Sequence, residues 1–238
     1  MNVLLLTDEC FDGDRAVINN ADQLSHIKTV LKSQIGDVLK IGRLGGCAGV
    51  GVLTDLTANQ AILTDVKLTV LPPNKTGVTI MLALPRPKVL RRLIMDMTAM
   101  GVNHIILVNS ARTDKSYWGS PILSRLDEFV IEGLQQGVDT IPPTITLAKR
   151  FKPFVQDELP SLIEPADSVV CHPYAAMPFG EFVQKNALPT FIAIGAEGGF
   201  VPYEIERFNE VGIAAVSLGE RILRTESAVN AVLGRYLS

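Results

Sequence analysis

The chain has 238 residues, 47% of them hydrophobic, which is enough to bury a sizeable core in one large domain or in a small and a medium one. Its 22 basic and 25 acidic residues, a formal charge of −3, argue against a protein that coats nucleic acid through bulk charge and leave only local basic patches for that purpose. Three widely spaced cysteines, Cys10, Cys47 and Cys171, form no CxxC pair, so they fit a reducing compartment and give no metal-ligand pattern.

The opening MNVLLLTDECFDGD has a short apolar run with acidic residues after it, unlike a signal peptide, and no apolar run reaches the roughly 18 residues of a membrane span. The expected setting is cytoplasmic. Residues 1 to about 70 read as a small β-rich unit with one helix, starting with a strand at 3–6. ADQLSHIKTVLKSQIGD places Leu24, Ile27, Val30 and Leu31 at helical spacing and ends in Ile35-Gly36-Asp37, a helix stop. VLKIG, GVGVLTDLT and QAILTDVKLTVL follow, rich in β-branched residues and punctuated by Gly45-Gly46 and Ala58-Asn59. Such strands suggest a small barrel, a fold that often holds nucleic acid without licensing that function by itself.

Leu71-Pro72-Pro73-Asn74-Lys75-Thr76-Gly77 interrupts helix and strand alike and marks the expected boundary between domains 1–72 and 77–238. Beyond it VTIMLAL, HIILVN, TITLA, SVVCH, TFIAIG and AAVSLG alternate with helical stretches, including VLRRLIMDMTAMG and segments near 121–136, 179–185 and 225–236. That alternation indicates an α/β domain, a mainly parallel sheet with helices on both faces.

The two most informative stretches close the chain. IAIGAEGGFVPYEIERF (192–208) and VSLGERILRTESAVNAVL (216–233) each run from an apolar strand through a glycine turn into a helix, an arrangement that offers backbone N–H groups to a ligand. GAEGG comes too late in its domain for a dinucleotide fingerprint, which belongs to the first strand. In the second stretch Thr225 is placed to cap the last helix, with Glu226 and Ser227 in its first turn, and Arg221 and Arg224 lie beside Gly219.

IGAEGGFVPYEIERF with VSLGERILRTESAV resembles the C-terminal signature of the SPOUT RNA methyltransferases, most closely the bacterial 16S ribosomal RNA uridine-N3 methyltransferases of the RsmE type. HIKTVLKSQIGDVLKIGRLGG resembles that family's PUA-like barrel, and MGVNHIILVNSAR and VVCHPYAA resemble further passages of its second domain. The resemblance implies a knotted SPOUT domain after a PUA-like β-barrel that binds RNA, S-adenosyl-L-methionine as cofactor, ribosomal RNA or the small ribosomal subunit as partner, and a homodimer. It also implies cofactor contacts from Ile194, Gly195, Glu197, Gly198 and Gly199 in the first turn, and from Leu218, Gly219, Ile222, Leu223 and Thr225 in the second.

Methylation at N3 of uracil requires loss of the imide proton, and a guanidinium can stabilise the anion that forms. Arg224 is the first choice for that role, Arg221 and Arg112 come next, and Glu226 is suited to orient an arginine. Arg86, Lys88, Arg91 and Arg92 form the candidate for RNA phosphates, against the plainer reading of a solvated helix face. His26 and His104 read as structural, while His172 ends a parallel strand, where ligand sites form. Tyr117 and Trp118 can stack on a base or pack. The chain departs from the family's pattern at Asp96 and Ala99, and at residues 135–139, Gln-Gln-Gly-Val-Asp, on the side that meets substrate. A paralogue methylating another RNA, and a non-catalytic RNA-binding or assembly protein that retains the fold, therefore stand as alternatives.

Overall fold

The computed structural model describes residues 2–237. The chain forms two compact units, one running to Asn74 and taking back Ile131–Pro142, the other made of Lys75–Val130 and the chain from Pro143 onward.

The first unit is a six-stranded mixed sheet of β1 (Leu4–Leu6), β2 (Phe11–Asp12), β3 (Arg15–Ile18), β4 (Val38–Arg43), β5 (Ala48–Leu56) and β6 (Ala61–Val70). Its order is β1-β4-β5-β6-β3-β2, with β1 and β4 parallel and the other pairs antiparallel. Register shifts between β5 and β6 bend the sheet. A Cβ on Gly49 would lie 1.8 Å from the Lys67 carbonyl oxygen, so only glycine allows that approach. Leu4, Leu6, Ile18, Ile41, Leu53 and Leu63 fill the core.

Asn20 caps helix α1 (Ala21–His26) by accepting from the Asp22 and Gln23 amides at 3.0 and 3.1 Å. The expected apolar stripe is only half buried: Leu24 and Ile27 are in the core, whereas Val30 and Leu31 are 63% and 43% exposed. The helix widens into a π turn at Ile27–Leu31, which rotates later side chains off the core-facing line.

The return of residues 131–142 to this unit was not visible in the sequence. Val138 is left-handed at φ 55°, and the Asp139 carboxylate accepts from the amides of Thr140 and Ile141 at 2.7 and 2.9 Å. Gln135 and Asp139 are buried, and the Gln135 carbonyl accepts from the Asn2 amide at 3.1 Å. This departure from the family pattern has structural duties of its own.

The second unit is a parallel sheet of seven strands: β7 (Thr79–Ala83), β8 (His104–Val108), β9 (Thr144–Ala148), β10 (Ser168–Cys171), β11 (Met177–Pro178), β12 (Phe191–Ile194) and β13 (Ala214–Ser217). Every pairing is parallel, in the order β11-β13-β10-β12-β7-β8-β9. β7, β8 and β12 are buried at nearly every position, so both faces of the sheet are covered, as the sequence pattern requires.

The helices are α2 (Pro87–Ala99), α3 (Leu126–Gly137), α4 (Phe151–Pro153, continuing as a π turn to Glu158), α5 (Phe179–Lys185), α6 (Pro202–Glu210) and α7 (Thr225–Leu233). α2 opens on Pro87, whose missing N–H costs nothing at a first helical position. It buries Val89, Leu90, Leu93, Ile94 and Met97 and packs against α7. Among the described residues no helix is long and apolar enough to cross a membrane.

Phe151, Phe200 and Phe208 form an aromatic cluster on the opposite face, with centroids 5.2 Å apart for Phe200 and Phe208 and 5.4 Å for Phe151 and Phe208. Phe200 closes the glycine turn after β12, so this cluster ties that turn to the core. Replacing Phe208 by alanine should lower unfolding stability by roughly 3–5 kcal/mol in denaturant titration. A loss below about 1 kcal/mol would show that the cluster does not anchor the turn.

Candidate functional site

The carboxyl ends of β10, β12 and β13 lie side by side, with Cys171 paired in register to Ile194 on one side and Val216 on the other. Crevices at such ends are where open parallel sheets bind ligands. A cavity of about 200 Å³ sits there, walled by the turns that follow the three strands and by Arg112.

The first turn, residues 195–200, folds back onto its own first glycine. A Cβ on Gly195 would stand 2.7 Å from Gly199 Cα and 2.9 Å from the Phe200 nitrogen, and backbone cannot yield as a side chain would. Gly199 adopts φ 68° and donates to the Ala196 carbonyl at 2.8 Å. In the second turn Gly219 has φ 109°.

Thr225 joins the two. Its buried hydroxyl donates to the Gly195 carbonyl at 3.4 Å. The expectation that Thr225 caps α7 is corrected: Arg224 is the N-cap residue and makes no side-chain cap, while Thr225 is the first helical residue. The hydroxyl is directed to the neighbouring turn in place of the helix end.

Most residues expected at the cofactor site line this one cavity: Ile194, Gly195, Glu197, Gly198 and Gly199 from the first turn, and Leu218, Ile222, Leu223 and Thr225 from the second. Of the expected arginines, Arg112 and Arg221 line it as well. Gly219, Arg224 and Glu226 are not among its lining residues; Arg224 is exposed and Glu226 half-buried.

Two arginines grip the first turn from outside. Arg112 donates to the Gly198 carbonyl, and a Cβ on Gly198 would come 2.8 Å from Arg112 Cδ. Arg86 meets the Glu197 carboxylate with its Nε at 3.2 Å and its backbone amide at 3.4 Å. The basic run is thus divided: Arg86 is engaged at the turn, Arg91 lies 5.6 Å from the centre of the Phe129 ring, and Lys88 and Arg92 are exposed.

Glu204 was missed in the sequence and is the most buried carboxylate here, 2% exposed. Its Oε2 accepts from the Val201 amide at 2.9 Å and its Oε1 from the Ala111 amide at 2.7 Å, joining the start of α6 to the loop that carries Arg112. A glutamate two residues after a proline at the first helical position signals the first bond, a capping-box arrangement. The second is long-range and has no local signal.

His172 follows β10 on the cavity wall. Its Nδ1 accepts from the Tyr174 amide at 3.3 Å. Burial and then the nearby Arg112 charge push its pKa below the usual histidine value, and a hydrogen bond with the Phe200 backbone opposes them. Burial pushes the Cys171 thiol up to about 12, so it stays protonated beside the cavity. His104 pairs with the Thr146 hydroxyl at 2.8 Å at the start of β8, the opposite end of the sheet. Trp118 is half-buried and donates to Asn109 Oδ1 at 2.8 Å, which is a packing role, and Tyr117 is likewise half-buried.

The RNA methyltransferase domain family matches residues 72–236. Over 243 aligned residues the chain is 28% identical to "Ribosomal RNA small subunit methyltransferase E" of Treponema pallidum, covering all of this chain and 91% of that protein. The corresponding methyltransferase from Neisseria gonorrhoeae, solved bound to S-adenosyl methionine, superposes with a TM-score of 0.77 at 20% identity, covering 99% of this chain and 96% of that one. A methyltransferase from Legionella pneumophila in complex with the same cofactor gives 0.78 at 18% identity, with the same coverage. These likenesses in fold agree with the α/β, SPOUT-type domain and preceding PUA-like β unit expected from the sequence.

Glu204→Ala removes the bonds to the Ala111 and Val201 amides, and a hydrogen bond to a charged group is worth about 1.5–3 kcal/mol. Denaturant unfolding should show a loss of at least that size; a change under about 0.5 kcal/mol would mean that the two loops are held by something else.

Proposed function

Because the chain belongs to the RNA methyltransferase domain family, we propose that it transfers the methyl group of S-adenosylmethionine to N3 of a uridine in 16S ribosomal RNA. The observation that carries this reading is the closure of two glycine turns on one cavity through Thr225 and Gly195, with Arg112 and Arg221 on its wall.

The residues present fit the cofactor. The wall combines backbone from two turns with the apolar side chains of Ile194, Leu218, Ile222 and Leu223, the mixture a flat, polar-edged adenosine needs. A Cβ on Gly199 would meet nothing within 4 Å, so the backbone there is open to close approach. When bound, the cofactor supplies an electrophilic methyl group on a sulfonium.

The protein's own part is positioning and charge. Arg221 on the wall is the candidate to bring positive charge to the oxygens of a deprotonating uracil, and Arg224, exposed three residues on and not among the lining residues, is the second. Glu226 is suited to orient that pair. Arg112, committed to the Gly198 carbonyl, fixes the turn and contributes charge from the side. In-line approach of N3 then depends on how the turns hold donor and base.

Substrate RNA meets the exposed Lys88 and Arg92 through phosphates, and the β unit spanning residues 1–72 supplies further RNA contact. A second copy of the chain covers the open apolar side of the cavity, a reading supported by the 71% exposure of Ile222 and the 37% exposure of Leu223. The setting that follows from such a substrate is the cytoplasm.

The direct assay is transfer of labelled methyl groups to small ribosomal subunits that lack the modification, followed by mapping of the modified nucleotide. N3-methyluridine in 16S RNA is expected. Label in another RNA alone would assign the chain to a paralogue's substrate, and cofactor binding without transfer to any RNA would leave a non-catalytic RNA-binding protein. In the same assay Arg224→Ala should bind cofactor as the wild type does and lose transfer by roughly a hundredfold. Unchanged turnover would remove Arg224 from the mechanism.

A further inference from the structure

The mouth of the cavity carries an aromatic side chain that the reading above leaves without a task. Tyr174 lines the cavity and is 77% exposed. Its position is fixed by a tight turn after β10. The Tyr174 amide donates to His172 Nδ1 at 3.3 Å, the Ala175 amide donates to the His172 carbonyl at 3.1 Å, and Pro173 stiffens the residue between. The Tyr174 ring stands edge-on to the His172 imidazole, centroids 5.7 Å apart and planes at 63°. One flank of the ring is therefore supported, while most of its surface faces solvent at the rim.

At about 200 Å³ the cavity is smaller than the roughly 300–1,000 Å³ usual for small-molecule sites, so it takes one ligand and leaves the acceptor base to be met at the rim. Splayed-out bases of single-stranded RNA are recognised by stacking on aromatic rings and by hydrogen bonds to their edges. Trp118 has its indole N–H committed to Asn109 and Tyr117 is half-buried, whereas Tyr174 presents its ring beside the cavity that Arg112 and Arg221 also line.

We infer that Tyr174 is the platform on which the target uracil stacks, holding its N3 edge toward the cavity and its oxygens toward the arginines. The inference rests on the methyltransferase reading, and it assigns the residue that receives the base. An aliphatic replacement would keep the turn and lose the stack; phenylalanine would keep both.

The test uses the full chain and two readouts. Small-subunit RNA transcribed with 5-iodouridine is irradiated with the wild-type protein, and the crosslinked residue is located by mass spectrometry; a crosslink at Tyr174 is expected. Methyl transfer is then compared for wild type, Tyr174→Ala and Tyr174→Phe. Tyr174→Ala should lower kcat/KM for RNA by about fivefold to a hundredfold, with cofactor affinity by calorimetry unchanged, and Tyr174→Phe should restore most of it. Crosslinks confined to other residues overturn the inference, as does Tyr174→Ala with wild-type kcat/KM, or with its loss confined to cofactor affinity. Should the wild type methylate no RNA, the methyltransferase reading fails separately, and the crosslink decides: at Tyr174 it upholds the base platform, elsewhere it refutes it.

Discussion

The second unit is arranged around one close approach. The turn after β12 bends so tightly that the space a Cβ would need at Gly195 is filled by the backbone of Gly199 and Phe200. The bend aims the Gly195 carbonyl at the Thr225 hydroxyl, so the turn after β13 is drawn against the turn after β12 and the cavity closes between them. Everything else near the site keeps that bend in place. Phe200 sinks into the aromatic cluster, Glu204 ties the start of α6 to the Ala111 loop, and Arg112 and Arg86 hold the turn's carbonyl and its carboxylate.

The electrostatics follow from the same bend. A turn gripped by two guanidinium groups, with a third on the cavity wall at Arg221, gathers positive charge where the chain as a whole is slightly acidic. A net charge of −3 gives no general attraction to RNA, so whatever steering exists is local and falls off within a Debye length of roughly 8–10 Å. Arg86 shows how economical the arrangement is. It begins the basic run that the sequence offers to phosphates, yet the structure has it holding Glu197. Burial and the nearby Arg112 charge push the His172 pKa down, which disfavours a further positive charge on that wall.

The architecture was legible where pattern is local. Alternation of apolar strands with helical stretches gave the parallel sheet, and two glycine turns after apolar strands gave the cavity, because strand ends and glycine dihedrals are written in neighbouring residues. The failures share a cause. The π turn at Ile27–Leu31 exposes residues that ideal helical spacing would bury. Thr225 looks like a helix cap until the Gly195 carbonyl, thirty positions away in the chain, is seen to accept its hydrogen bond. Glu204 bonding to Ala111, Arg86 bonding to Glu197, and the return of residues 131–142 to the first unit are likewise long-range events with no short-range mark. Tyr174 escaped for a related reason: an exposed aromatic has no signature until its neighbours define a rim.

That the bend at Gly195 builds the cofactor site follows from the proposed function. It is tested most directly by titrating S-adenosylmethionine calorimetrically into the wild type and into Gly195→Val, with circular dichroism melting to establish that both chains are folded. One saturable site per chain is expected in the wild type and no measurable binding in the folded variant, since a branched side chain at Gly195 collides with the backbone of Gly199 and Phe200. Equal affinity in the two proteins would contradict it.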